Sequence, residues 1–186
     1  MASAQTQVQS AVTYTIEPAH SAAHFKVRHL MIANVRGEFK NISGTVVFNP
    51  ENPAASSVTT EIGANSVNTG EPDRDKHLKS TDFFDVANYP VIRFQSKKVE
   101  RDGSERYKVT GDLTIRGISR EVVLKVNSVT EEIKDPWGSF RRGAEAKAKI
   151  SRKDFGVTYN QVLEAGGIAI GDEVDIDLEL ELVRKS

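Results

Sequence analysis

Residues 141–150, RRGAEAKAKI, admit two incompatible conformations. Alanine, glutamate and lysine are good helix formers, so local propensity favours a helix. The order of the residues says otherwise. Ala144, Ala146 and Ala148 alternate with Glu145, Lys147 and Lys149, which is the period of a strand with one wet face. The run is short and highly charged for a core helix, and it sits between strand-like segments. Taken as a strand, it turns alanine inward where a filled core would want Val, Ile or Leu. Either another element presses close there, or room is left for something else.

Strand patterns extend outward on both sides. Downstream, Val174, Ile176, Leu178, Leu180 and Leu182 share one face, with Asp175, Asp177, Glu179 and Glu181 on the other. This is the cleanest alternation in the chain. Upstream, Ala23, Phe25, Val27 and His29 share a face, followed by Val35–Phe39. Gly44, Val46 and Phe48 run into the turn signal Asn49-Pro50. Val58–Ile62 and Val91–Ser96 alternate in the same way. So do Tyr107–Ile115 and Val122–Val126, joined by the tight Arg116-Gly117 connection. Arg101-Asp102-Gly103 and Asp135-Pro136-Trp137-Gly138 mark hairpin turns, with Trp137 expected as a rim plug or hairpin anchor. Residues 66–90 break the pattern, with an insert at about 72–86. Pro72 and the charged run after it suit a short helical insert anchored by Phe83, Phe84 and Val86.

The sum is an all-β domain of about eight antiparallel strands over residues 13–186, behind a polar, flexible tail at 1–12. Such strands close into a barrel or split into a sandwich. A barrel of about eight strands is just wide enough to be filled by side chains or to hold one ligand. The inward alanines, with Gly37, Gly44 and Gly111, point to a cavity. They are equally compatible with a tapered, filled barrel or with close packing of the insert. Candidate walls are Phe25, Val27, Phe39, Phe48, Ile62, Phe94, Leu113, Ala144, Ala146 and Ala148. Such a lining suits a long hydrocarbon.

Composition removes several classes of function. The 25 Lys and Arg against 26 Asp and Glu give no basic excess for nucleic acid. The absence of cysteine excludes disulfides and thiolate chemistry. No apolar run is long enough to span a bilayer as a helix. The opening residues MASAQTQVQSAV lack the basic and apolar regions of a signal peptide. A cytoplasmic location is therefore expected, with a periplasmic or secreted one as the alternative if the sequence is a mature form.

The four histidines are His20, His24, His29 and His77. They form no HxH pair, and no metal site or other cofactor is expected. His29 ends an inward face near a rim, where it can meet a polar head group. His77, beside Arg74, Lys76 and Lys79, belongs either to a solvated helix surface or to a lid over the ligand. Arg141, Arg142 and Arg152 suit oxyanion contacts, but their alternation fits an outer face equally well. No GxSxG elbow or phosphate loop occurs, the Gly-rich stretch at 165–171 included.

Several segments, in this order and spacing, resemble the YceI family of lipocalin-like barrels: HSAAHFKVRHL (20–30), RGEFKNISGTVVF (36–48), RDKHLKSTDFFDVANYPVIRFQS (74–96), GDLTIRGISREVVL (111–124), DPWGSFRRG (135–143), SRKDFGV (151–157) and GDEVDIDLELEL (171–182). The resemblance covers nearly the whole chain from about residue 13 and implies an extended eight-stranded antiparallel barrel with an internal tunnel. It also implies a bound polyisoprenoid lipid or isoprenoid quinone, with a polar or pyrophosphate head near the mouth. Each buried CH₂ contributes about 0.8 kcal/mol gross, offset by the cost of ordering a flexible chain. The expectation is a carrier rather than an enzyme, with a homodimer possible. The alternatives are a barrel enzyme or stress-response protein using His29 or His77 as base, and a filled barrel used only for protein contact.

Overall fold

The computed structural model describes residues 11–163 and 167–185, and in it the RRGAEAKAKI stretch is extended. Tertiary pairing overrides the helical propensity of its alanines and charges. In chain order the strands are β1 (Val12–Ile16), β2 (Ala22–His29), β3 (Ala33–Phe39), β4 (Ile42–Phe48), β5 (Ser57–Gly63) and β6 (Val67–Asn68). They continue with β7 (Val91–Arg101), β8 (Tyr107–Ile115), β9 (Ile118–Val129), β10 (Ile133–Lys134), β11 (Phe140–Ser151) and β12 (Ile170–Arg184). The one α-helix among the described residues is α1 (Pro72–Lys79).

Eight strands close an antiparallel ring in the order β11, β9, β8, β7, β5, β4, β1 and β12, and β12 returns to β11. The closing seam is the pairing of the alanine strand with the cleanest alternating strand. Ala144, Ala146 and Ala148 stand opposite Leu180, Leu178 and Ile176. On the outer face Lys147 meets Asp177 at 2.9 Å, and Lys26 of β2 meets Asp175 at 2.9 Å. These exposed pairs contribute little energy. Together with the apolar inner face they hold the register, because a one-residue slip would turn the charges inward.

The long strand β12 has two successive partners on its other edge. From Val174 to Glu179 it pairs with β2, and from Leu182 to Arg184 with β1. The chain crosses between them through the turn Pro18–His20. There the buried Ser21 Oγ accepts from the Glu181 N–H at 3.0 Å, and the Glu17 N–H donates to the Glu181 carbonyl at 2.8 Å. The backbone groups of β12 are thus satisfied where its partner changes. β3 pairs with β2 and carries the short β6. β1 is a ring strand that the sequence pattern did not single out. It begins at Val12, so it takes the last residue assigned to the flexible tail; residues 1–10 lie outside the described residues.

The insert begins as expected, with Pro72 at the first helical position. The Glu71 carboxylate accepts from the Arg74 N–H at 2.7 Å as an N-cap. The helix stops at Lys79, and the chain continues in turns past Phe83 and Phe84. Phe84 packs edge-on against Phe39, with ring centroids 5.3 Å apart. The Arg116-Gly117 connection is a two-residue hairpin turn with φ of 51° and 72°, which matches the twist of β8 and β9.

Two expectations are corrected. Gly37, Gly44 and Gly111 do not line an internal space. A Cβ at Gly44 would lie 2.1 Å from the Thr59 carbonyl oxygen, and one at Gly111 2.4 Å from the Gln95 carbonyl oxygen. At Gly37 the room is taken by the Phe25 ring, 2.4 Å from such a Cβ. These glycines relieve crowding between strands and rings. Trp137 is no plug: it is 85% exposed at the tip of the β10–β11 turn. The Asp135 carboxylate organises that turn, accepting from the Trp137 and Ser139 N–H groups and from Arg141 Nε. Arg141 holds the Asp135 carboxyl below the usual carboxylate range, with help from those backbone donors.

Near this end Tyr14 of β1 is 1% exposed, and its hydroxyl donates to Glu132 Oε2 at 2.6 Å. Arg184 donates to the other Glu132 oxygen at 3.1 Å. Burial, and then the bond to Glu132, push the Tyr14 phenol up to about 12. A phenol whose folded pKa is raised stabilises the fold fully below its unfolded value of about 10 and loses that contribution as pH rises through its folded value. The thermal midpoint of the wild type should therefore fall more steeply between pH 10 and 12 than that of Tyr14→Phe; parallel curves would refute this. Gly44→Ala should cost roughly 1–3 kcal/mol through overpacking against Thr59. Thermal or urea unfolding reads this loss, and an unchanged midpoint would show that the strands can separate there without cost.

Candidate functional site

The inward faces of the ring do not meet. They enclose an elongated cavity of about 250 Å³, with walls that are apolar almost throughout. This is slightly below the usual range for small-molecule sites, about 300–1,000 Å³, and its residues span the length of the barrel. At one end are Phe25, Val27, Leu78, Phe83 and Ile170; at the other are Phe48, Val129, Arg142 and Leu182. A barrel with a filled interior is therefore not what forms. Ala144, Ala146 and Ala148 all lie on the cavity wall, beside larger residues of β12 and, for Ala144 and Ala146, of β9, and their short side chains leave the space open.

Of the residues singled out in the sequence, Phe25, Val27, Phe39, Phe48, Ile62, Phe94, Leu113 and the three alanines come together on this wall. His29 and His77 do not. They lie around a second space of about 300 Å³ that adjoins the first through Phe25, Val27, Leu78, Phe83 and Ile170. This vestibule is more polar, with Arg28, Arg74, Tyr159 and Gln161 also on its wall. It sits where α1 and the turns after it lie across the end of the barrel.

The vestibule's side chains are largely committed to one another. His77 Nε2 lies 2.8 Å from Asp82 Oδ2. The His77 ring packs edge-on against Phe83 and Tyr159, with centroids 4.9 and 4.8 Å away. Arg74 donates to the Thr69 hydroxyl at 2.7 Å and to the Thr69 carbonyl at 3.1 Å. His29 is exposed. The other histidines are apart: His20 lies in the Pro18–His20 turn, and His24 is near Glu38 and Glu179. Among the described residues no three His, Cys, Asp or Glu side chains gather as a metal site.

The three candidate arginines have three different fates. Arg141 pairs with Asp135 and Glu181. Arg152 is 6% exposed and donates to the carbonyls of Gly171, Val157 and Tyr159 at 2.8–2.9 Å. It clamps the end of β11 to the start of β12. Burial pushes its guanidinium below the ordinary arginine value, and the Asp172 carboxylate acts the other way. Arg142 lines the cavity. The outer-face reading fails for Arg142 and Arg152, and parity explains why. Arg142 shares the odd-even phase of Ala144, Ala146 and Ala148 and so belongs to the inward face of β11, and Arg152 keeps that phase into the 3-10 turn that follows the strand at Ser151.

Comparison with known proteins places this architecture. The family model for the YceI-like domain matches residues 14–182. Protein YceI of Escherichia coli O157:H7 is 41% identical over 141 residues, 76% of this chain and 73% of that protein. The crystal structure of BcnA from Burkholderia cenocepacia superposes with a TM-score of 0.78 at 25% identity, covering 89% of this chain and 98% of the other. A polyisoprenoid binding domain from Saccharophagus degradans has the same fold, with a TM-score of 0.67 at 17% identity over 94% of this chain and 99% of that one. By the match along its length and the shared closed barrel, this chain belongs to the YceI family.

Proposed function

We propose that the protein binds and carries a long-chain amphiphile, a polyisoprenoid lipid or isoprenoid quinone, with its tail in the internal cavity. The observation that carries this reading is the alanine row of β11, which opens an apolar channel along the barrel where larger residues would have closed it. Such a wall recognises a hydrocarbon by shape and by exclusion of water. It offers nothing along its length to bind a sugar or a nucleotide. The likeness of the barrel to a polyisoprenoid binding domain supports the fold of such a carrier. The vestibule, with His29 and His77 on its wall, adjoins one end of this channel, and the insert covers it as a lid.

A second reading draws on one specific contact. The His77–Asp82 pair, 2.8 Å apart at the vestibule, has the geometry of an oriented general base. Both side chains are about half exposed, and the neighbouring Ser80 hydroxyl is engaged with the His77 carbonyl at 2.7 Å. The pair therefore lacks a nucleophile, and its packing against Phe83 and Tyr159 assigns it to holding the insert. Turnover of a prenyl ester that is lost in His77→Gln would favour the enzyme.

Ala146 is 7% exposed and sits midway along the row. Ala146→Phe should weaken binding of a prenyl quinone roughly tenfold or more, about 1.4 kcal/mol per decade. Fluorescence titration and a thermal melt read affinity and fold separately. Unchanged affinity in a folded variant would show that the ligand does not pass β11.

A further inference from the structure

One buried side-chain polar atom among the described residues has no hydrogen-bond partner, and it is Arg142 Nε. Arg142 lies on the cavity wall at the end of the alanine row nearest β10. Its guanidinium carbon is 5.5 Å from the centroid of the Tyr14 ring and 5.2 Å from that of Phe48. The two rings attract the cation through their faces, yet neither supplies an acceptor oxygen for Nε. The carboxylate of Glu132 is already taken up by the Tyr14 hydroxyl and by Arg184. A buried donor left without an acceptor is a net cost that native folds seldom carry without a reason.

The opposite end of the cavity presents no comparable donor. His77 is held by Asp82, Arg74 by Thr69, and Arg152 by backbone carbonyls. We propose that Arg142 is the polar subsite of the cavity, where Nε donates to an oxygen of the bound amphiphile. The polar group then lies at the β10–β11 end and the hydrocarbon points toward α1. The shared chemistry of the ligand is an acceptor oxygen, either an oxyanion such as a carboxylate or phosphate, or a neutral carbonyl such as that of a quinone. This inference rests on the carrier reading and adds the direction in which the ligand lies.

The test uses the ¹⁵N-labelled full chain and three probes delivered from cyclodextrin: oleate, a decyl benzoquinone and octadecene. The Arg142 Nε–Hε resonance is assigned by its loss in Arg142→Lys. Oleate should shift that resonance downfield and slow its exchange with water, whereas octadecene should bind without moving it. A shift with the quinone as well would identify a carbonyl as sufficient, and a shift with oleate alone would identify an oxyanion; both support the subsite. Arg142→Met should weaken oleate binding roughly tenfold to a hundredfold, the range for a hydrogen bond to a charged group, and leave octadecene binding unchanged. A resonance unmoved by both oleate and the quinone at stoichiometric binding, or equal weakening of oleate and octadecene in Arg142→Met, would overturn the proposal. If none of the three probes binds the wild type, the carrier reading itself falls and the subsite falls with it.

Discussion

The pairing of β11 with β12 is the constraint on which the rest of the molecule depends. It closes the ring, and it sets alanines against leucine and isoleucine across the seam. Closure pairs the ring strands on both edges and leaves free edges only outside the ring, at β10, at β6 and along most of β3. The alanine side chains are too short to fill the interior in front of their strand. One short stretch thus provides both the closed scaffold and the space inside it. Charged residues on the outer face keep the strands in register, because any slip by one residue exposes the apolar row and buries the lysines and carboxylates.

The interior that results is nearly featureless chemically, and its few polar groups sit at the ends. Arg152 closes one end mechanically by gathering carbonyls from the segment after β11 and from the start of β12. The insert covers the same end with Leu78, Phe83 and Phe84. At the other end Tyr14, Phe48 and Arg142 form a cationic, aromatic terminus. A long apolar middle with distinct ends suits a ligand whose own polarity is confined to a terminus. No helix among the described residues is long and apolar enough to cross a membrane.

The fold was legible where one physical signal dominated. In β12 five apolar residues alternate with four carboxylates, and no helix can place them on separate faces. The alanine row was legible for the same reason, although its residues favour helix one by one. β1 was missed because Val12, Tyr14 and Ile16 form a short run directly after a polar tail, and only pairing with β4 and β12 makes it a strand. The glycines were misread because alternation shows which face a residue takes but not what stands opposite. At Gly44 and Gly111 that is the carbonyl of the next strand, and no sequence pattern encodes such a distance. Arg142 was visible in principle, since it keeps the parity of the alanines. Its charge argued for the surface, and the pairing of Glu132 with its neighbours could be learned only from the structure.

The central claim is that the cavity holds a long-chain lipid, and native mass spectrometry of the protein as purified tests it most directly. The account predicts a stoichiometric mass increment that disappears on organic extraction, with the extract containing a prenyl lipid. A protein that flies at its bare mass, and that a prenyl quinone then fails to load, would contradict it.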